Sequence, residues 1–195
     1  GRVGNPVLEE RIEPFRFRVS PFSFFQTNTA AAERLYHVIQ EYVGLTGRET
    51  LLDAYCGTGS IGIFCSKQAR KIFGIEIVRD AIWDARVNAS MNGVENCTFI
   101  AAPMANGLSL VRQAGGANLD RIIIDPPRGG MDKKSLRHLL AVRAPVFVYV
   151  SCNPTTLSRD VVAIAEAGYE MKRIRSVDQF PNTHHIETVI RFDLK

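Results

Sequence analysis

Cys152 is the residue whose type and position most clearly allow nucleophilic chemistry. It follows the apolar run 148–150 and precedes an Asn-Pro pair, at which a helix is predicted to begin. A helix amino terminus favours the thiolate, the nucleophilic form of cysteine. Most cysteines are instead buried and structural, which is our interpretation of three others: Cys56, Cys65 and Cys97. Position alone leaves both interpretations of Cys152 open.

Glu187, near the carboxyl end of the chain, is a candidate general base. It opens an apolar strand, so partial burial would raise its pKa and suit it to accept a proton. His184 and His185 lack cysteine or carboxylate partners at metal-ligand spacing, so we predict no metal site and a solvated loop instead. Three phenylalanines are candidates either to line a ligand pocket or to fill the core: Phe24, Phe25 and Phe180.

Gly57, Gly59 and Gly62 form a Gly-x-Gly-x-x-Gly loop between a predicted strand and a predicted helix. Such a loop lets the backbone turn tightly and approach a ligand closely. Glu76 ends the next predicted strand, where a carboxylate can accept hydrogen bonds from both ribose hydroxyls of an adenosine cofactor. The pattern fits a dinucleotide and S-adenosylmethionine about equally well. Glycines that serve only a tight turn are the alternative.

Asp125 and Arg128 stand in an Asp-Pro-Pro-Arg segment directly after a buried strand. The two prolines hold the backbone extended and rigid. The segment can present Asp125 to a cofactor or a flat base, and Arg128 to a base or a phosphate. A nicotinamide enzyme has no obvious need for this element, and a stiff loop with a capping aspartate is the alternative.

The elements that must position these residues alternate between strand and helix. Apolar runs predict strands at 50–55, 71–75, 97–100, 121–124 and 145–150, and periodicity predicts helices at 29–43, 59–69, 78–91, 132–142 and 155–167. Segments 170–177 and 188–193 are predicted to add an antiparallel pair. We therefore expect an α/β, doubly wound, mostly parallel Rossmann-like sheet that binds ligands at its carboxyl edge. Residues 1–28 form a leading segment with room for one strand and the aromatic Gln motif, and 29–195 form the catalytic domain.

Six short segments together resemble the RNA 5-methyluridine methyltransferases, which act on tRNA and 23S ribosomal RNA. The segments are Phe-Phe-Gln-Thr-Asn at 24–28, Tyr-Cys-Gly-Thr-Gly at 55–59, Gly-Ile-Glu at 74–76, Asp-Pro-Pro-Arg at 125–128, Ser-Cys-Asn-Pro at 151–154 and His-Ile-Glu-Thr at 185–188. The resemblance implies an S-adenosylmethionine-dependent fold, with Cys152 as the nucleophile and Glu187 as the base. It also implies four contacts to S-adenosylmethionine: Gln26, Tyr55, Glu76 and Asp125.

The implied reaction is methylation of carbon 5 of a uridine in RNA. A thiolate that adds to carbon 6 makes carbon 5 nucleophilic, and a base then removes the carbon 5 proton. The uridine must leave its stack to reach such a pocket. Three other functions remain open: an RNA 5-methylcytosine methyltransferase, an NAD-dependent oxidoreductase on the same glycine loop, and a cofactor-binding remnant without catalysis.

Composition limits the partners and the compartment. The formal charge of +4 is compatible with RNA but does not require it. The four cysteines include no Cys-x-x-Cys pair, which argues against zinc and iron–sulfur sites. Because no apolar run could span a bilayer and no signal peptide opens the chain, we expect a cytoplasmic monomer without membrane contact. The family's usual RNA-binding domains are absent, so we expect this chain to be part of a longer one.

Overall fold

The computed structural model describes residues 7–21, 23–183 and 185–195, and these form two sheets and six α-helices. The strands are β1 Leu8–Ile12, β2 Phe15–Val19, β3 Thr50–Ala54, β4 Lys71–Glu76, β5 Cys97–Ala101, β6 Arg121–Ile124, β7 Val146–Ser151, β8 Tyr169–Val177 and β9 Glu187–Leu194. The helices are α1 Thr29–Val43, α2 Ser60–Cys65, α3 Arg79–Met91, α4 Met104–Gln113, α5 Lys133–Leu140 and α6 Pro154–Glu166.

The main sheet has seven strands in the order β5-β4-β3-β6-β7-β9-β8. Strands β5, β4, β3, β6 and β7 are parallel, whereas β9 runs antiparallel to both β7 and β8. The interiors of β6 and β7 are apolar, at 122–124 and 146–150, because helices cover both faces of the sheet. The predicted doubly wound parallel sheet with an antiparallel addition is confirmed.

Each face of the sheet has its own apolar core. Ile123 of β6 packs in one cluster with side chains of α1, α2 and α3, while Ile122 and Ile124 pack in the other with side chains of α4, α5 and α6. This division follows from the alternation of side chains along a strand. Helices α1, α2 and α3 therefore cover one face of the main sheet, and α4, α5 and α6 cover the other.

Two elements differ from the sequence-based expectation. Helix α4 was not predicted, although Met104, Leu108 and Val111 have helical spacing and are buried. Gly107 weakens the helical signal, but the helix packs so closely on β4 that a Cβ at this position would lie 2.7 Å from Ile75. The leading segment holds two paired strands, β1 and β2, rather than one.

Polar side chains of α3 pair with the free edge of β2 in place of a strand. The Arg18 N–H donates to Asn88 Oδ1 at 2.6 Å and the Arg16 N–H donates to Asn92 Oδ1 at 2.9 Å. Both asparagines return a hydrogen bond to the carbonyl oxygen of the same residue. We call Asp84, Asn88 and the C-cap residue Asn92 the α3 ladder, because they follow one another at intervals of four residues along one side of the helix. The division of the chain into a leading segment, 1–28, and a catalytic domain, 29–195, stays a prediction.

Replacing Asn88 with alanine is expected to lower the free energy of unfolding by about 2–4 kcal/mol. Asn88 is fully buried, and its Nδ2 also donates to the carbonyl oxygen of Thr58 in the glycine loop at 3.1 Å. The variant therefore leaves backbone groups of two segments without partners. Urea denaturation measures the change, with the half-buried Asn92→Ala as the control at about 1 kcal/mol. Equal losses in the two variants would contradict this account.

Candidate active site

A cavity of about 650 Å³ lies at the carboxyl edge of the main sheet. It forms where β3, β4, β6 and β7 end side by side, as expected for an open parallel sheet. The cavity brings together eight of the nine predicted site residues: Gln26, Tyr55, Gly57, Glu76, Asp125, Arg128, Cys152 and Glu187.

The antiparallel strand β9 brings the candidate base to this edge. Its first residue, Glu187, lies beside the last residues of β7 because the two strands run in opposite directions. Ser151 pairs with Thr188 in the ladder, so Cys152 and Glu187 each stand one residue beyond the same pair. Two residues that are distant in the chain are therefore held at one point by backbone hydrogen bonds.

The glycine loop follows β3 with unusual backbone angles. Gly57 has φ +50° and Gly59 has φ +78°, and Tyr55 has φ +64° although it carries a side chain. Such a conformation in a non-glycine residue is uncommon and is found often at functional sites. Gly59 does not line the cavity; a Cβ there would lie 2.8 Å from the ring of Phe99, so this glycine permits close packing under the loop.

Glu76 is oriented by backbone groups on both sides. Its Oε1 accepts hydrogen bonds from the N–H groups of Ile77 at 2.7 Å and Val78 at 2.9 Å, and its Oε2 lies 3.4 Å from the N–H of Gly57. The carboxylate therefore stands beside the glycine loop in a fixed orientation. This placement suits the predicted contact with ribose hydroxyls.

Several carboxyl groups lie in or directly behind the cavity, and a cationic ligand would favour their ionised forms. Burial raises the pKa of Asp125 to about 8, with a further contribution from the charges of Glu187 and Asp53. Burial also raises the pKa of Asp53 to about 7; this residue lies behind the lining, and its carboxylate accepts from the N–H of Gly62 at 2.9 Å. Among the lining residues that the structure describes, Arg128 is the one cationic side chain. The cavity therefore favours a positively charged ligand.

Cys152 lies partly exposed in the cavity, one residue before the cap of α6. Asn153 is the N-cap, and its side chain accepts from the N–H of Thr155 at 3.0 Å. Burial, followed by the charges of Glu187 and Asp125, raises the pKa of Cys152, while the Arg128 guanidinium opposes this shift. The net effect on the thiol is thus opposite to the one expected from the helix amino terminus.

The Asp-Pro-Pro-Arg loop is held in place by α6. Asn153 Nδ2 donates to the carbonyl oxygen of Arg128 at 3.0 Å, and the buried Asp160 accepts from the N–H of Met131 at 3.1 Å. The Arg128 guanidinium lies 3.4 Å from both ring nitrogens of His185. Arg128 therefore projects at the mouth of the cavity. Burial raises the pKa of Glu187, and the positive charge of Arg128 only partly opposes this increase.

Asp84 of the α3 ladder anchors the segment that carries the aromatic Gln motif. Its buried Oδ2 accepts hydrogen bonds from the N–H and hydroxyl of Ser20, at 2.9 and 2.5 Å, and from the hydroxyl of Ser23 at 2.8 Å. The next residue, Phe24, lines the cavity and is 73% exposed. Phe25 also lines it but is buried, with its ring 5.6 Å from that of Phe17, so it belongs to both cavity and core.

Other lining residues carried no signal in the sequence. The Tyr36 hydroxyl of α1 and the Ser60 hydroxyl of α2 lie 2.7 Å apart at the cavity wall. Tyr36 sits in the apolar face of a helix, where its spacing indicates only core packing. Phe180 lines the cavity as one of its two predicted roles requires, and its ring lies 6.4 Å from that of His185.

Metal-binding clusters and membrane-spanning helices are both absent from the described residues. Within residues 7–21, 23–183 and 185–195, no group of three or more histidine, cysteine or acidic side chains is arranged to hold a metal ion. His184, which the sequence placed beside His185, lies outside the described residues. In the same part of the chain, each helix is too short or too polar to cross a bilayer.

The sheet order, the helices on both faces and the position of the cavity define the Rossmann-like fold of S-adenosylmethionine-dependent methyltransferases. The tRNA (uracil-54, C5)-methyltransferase of Pyrococcus abyssi, solved in complex with S-adenosyl-L-homocysteine, superposes with a TM-score of 0.81 at 32% identity. The match covers 97% of this chain and 45% of that one. Precorrin-6y C5,15-methyltransferase of Geobacter metallireducens, at 17% identity and a TM-score of 0.71, shares the fold alone. The predicted fold is confirmed.

The chain belongs to the tRNA (uracil-5-)-methyltransferase family, whose model matches residues 7–194. Two proteins of Clostridium acetobutylicum, each named an uncharacterized RNA methyltransferase, are 41% identical over 192 residues and 44% identical over 188 residues. These matches cover 98% and 96% of this chain. They cover 41% and 40% of the relatives, so the chain spans about two fifths of their length. The resemblance seen in the six motifs is confirmed.

Proposed function

We propose that this chain is the catalytic part of an enzyme that transfers a methyl group from S-adenosylmethionine to carbon 5 of a uridine in tRNA or ribosomal RNA. The observation that carries the proposal is the position of Cys152 and Glu187 at one sheet edge, in a cavity that the glycine loop and Glu76 also line. Membership of the family supports the reaction type.

The charges of the cavity favour this cofactor over a dinucleotide. S-adenosylmethionine carries a sulfonium and an ammonium group, and it supplies an electrophilic methyl group when bound. The residues that would hold it are Glu76, at the ribose, and Asp125, Tyr55 and Gln26, along the rest of the molecule. A pyrophosphate would instead lie among the carboxyl groups of Asp125 and Glu187, and its negative charge would oppose their ionisation.

In the proposed reaction, Cys152 and Glu187 serve the two reacting carbons of the uracil. The Cys152 thiolate adds to carbon 6, and the electron pair displaced to the ring makes carbon 5 nucleophilic. After carbon 5 has gained the methyl group, Glu187 takes the carbon 5 proton, and the carbon–sulfur bond breaks to release the thiolate. Arg128, at the cavity mouth, would bind the base or its phosphate and favours the thiolate by its charge.

The direct test is to incubate the full-length parent protein with unmodified RNA and deuterated-methyl S-adenosylmethionine, and to analyse the nucleosides by mass spectrometry. We expect labelled 5-methyluridine. If labelled 5-methylcytidine is the only product, the substrate is cytidine and the proposal of uridine is wrong. RNA without any label, together with no binding of the cofactor in calorimetry, would overturn it.

Binding of S-adenosylmethionine is expected to release protons near neutral pH. Because burial raises the pKa of Asp125 to about 8, most of this carboxyl group is protonated at pH 7, and a cationic ligand favours its ionised form. The affinity should therefore rise with pH, by up to about tenfold per pH unit, and level off above pH 8. Calorimetry in two buffers with different ionisation enthalpies measures the released protons.

Asp125→Asn provides the control for this linkage. The amide cannot ionise, so the variant should bind more weakly, release fewer protons and show a flatter pH dependence. Proton release equal to that of the unaltered protein would assign the linkage to another group, of which Asp53, with a pKa of about 7, is the nearest candidate.

A further inference from the structure

Gln26 is held by a second glutamine from the far end of the chain. Gln179 Nε2 donates a hydrogen bond to Gln26 Oε1 at 2.8 Å, although the two residues are 153 positions apart. Both side chains are buried. Because the Gln26 amide oxygen is occupied, its Nε2 group is the part that remains to meet a ligand in the cavity.

A second hydrogen bond joins the same two segments. Asn28 Nδ2 donates to the backbone carbonyl oxygen of Gln179 at 2.8 Å, and Asn28 Oδ1 accepts from the N–H of Ala31 as the cap of α1. The backbone of Gln179 is thus fixed against the beginning of α1. Its side chain is then directed at Gln26 by the backbone position as well as by the amide contact.

The side chain of Gln179 contributes little that an apolar residue could not supply to the fold. It is fully buried and does not line the cavity, and its Oε1 has no hydrogen-bond partner in the part of the chain that the structure describes. A buried amide oxygen without a partner lowers the stability of a protein. The hydrogen bond to Gln26 is therefore the one interaction of the described residues that accounts for a buried amide at position 179.

We infer that Gln179 is a positioning residue that fixes the amide of Gln26, so that Gln26 donates a hydrogen bond into the cavity rather than accepting one. The inference rests on the proposed function, in which the cavity binds S-adenosylmethionine and Gln26 contacts it. An acceptor atom of the cofactor is then the partner of Gln26 Nε2. Gln179 itself touches neither the cofactor nor the reacting carbons.

The test is Gln179→Met in the full-length protein, because methionine has a similar length but cannot donate a hydrogen bond. We expect the dissociation constant for S-adenosylmethionine to rise by about five- to tenfold, which corresponds to one hydrogen bond. The kcat at saturating cofactor should stay within about twofold. The Tm should change little, because the loss of the donor to the buried Gln26 Oε1 and the removal of the unpartnered Gln179 Oε1 have opposite effects on stability.

A double-mutant cycle separates positioning from a general effect. In the Gln26→Ala background, Gln179→Met should cause no further loss of affinity. Gln179→Glu, which cannot donate to Gln26 Oε1, should weaken binding at least as much as Gln179→Met. The control is Gln113→Met on the exposed end of α4, which should change neither affinity nor Tm.

Two results would overturn the inference alone: unchanged affinity in Gln179→Met, or the same loss of affinity with and without Gln26. A lower Tm with unchanged affinity would make Gln179 a structural residue. If the unaltered protein binds no S-adenosylmethionine, the proposed function fails as well. Binding of S-adenosylmethionine to the unaltered protein therefore distinguishes failure of this inference from failure of the proposed function.

Discussion

Cys152→Ala is expected to abolish methyl transfer, with a loss of at least about 10⁴-fold in kcat, while S-adenosylmethionine still binds. The loss is this large because alanine cannot form the bond to carbon 6, without which carbon 5 stays too weak a nucleophile. Cofactor binding should persist because the cofactor contacts proposed above come from other residues. Single-turnover transfer of a labelled methyl group to RNA measures the first quantity, and calorimetry the second.

Cys97→Ala is the matched control for this variant. Cys97 is also partly exposed, but it lies on β5, outside the cavity lining, so its replacement should leave most of the activity. RNA that contains 5-fluorouridine adds an independent measurement, because fluorine leaves no proton on carbon 5 for removal. The unaltered protein should form a stable adduct with this RNA and Cys152→Ala should form none. Turnover in Cys152→Ala would exclude the covalent route.

Glu187→Gln is expected to slow turnover by about 10²–10⁴-fold and to cause a protein–RNA adduct to accumulate on ordinary RNA. The amide cannot take the carbon 5 proton, so methylation proceeds but the bond between Cys152 and carbon 6 does not break. Denaturing gel electrophoresis with labelled RNA detects the adduct. Burial raises the pKa of Glu187, so the acidic limb of the kcat profile should lie above the usual range of a glutamate.

Glu170→Gln is the control, because Glu170 is an exposed carboxylate on β8, outside the cavity lining. It should keep full turnover and show no adduct. Turnover of Glu187→Gln at the rate of the unaltered protein would assign proton removal to another group. Asp125, which has the more strongly raised pKa, would be the first to test.

Local patterns predicted much of the fold, and together with the family resemblance they predicted many of the cavity-lining residues. The runs at 122–124 and 146–150 are continuously apolar, which only a strand covered on both faces requires, and both are strands. Cys152 and Asp125 were placed at the carboxyl edge because residues that follow parallel strands share that edge. Glu187 was placed at the start of a strand, and it opens β9. The catalytic roles of these residues stay predictions until the variants are measured.

The remaining features depend on contacts between distant parts of the chain. The raised pKa of Cys152 arises from burial and from Glu187 and Asp125, none of which the sequence around Cys152 reveals. The hydrogen bond between Gln26 and Gln179 likewise joins two segments that no local pattern connects. Helix α4 was missed because a glycine in its middle has low helix propensity, and only close packing on β4 accounts for it.

The insertion of β9 between β7 and β8 has a consequence for the order in which function is acquired during synthesis. A nascent chain that stops before residue 187 already contains the glycine loop, Glu76 and Cys152, but not the group proposed to release the product. In the proposed reaction such a polypeptide has no group to remove the carbon 5 proton, and β8 has no strand with which to pair. Competence for turnover thus depends on docking of the final strand, and a register slip of one residue would direct Glu187 to the wrong face of the sheet.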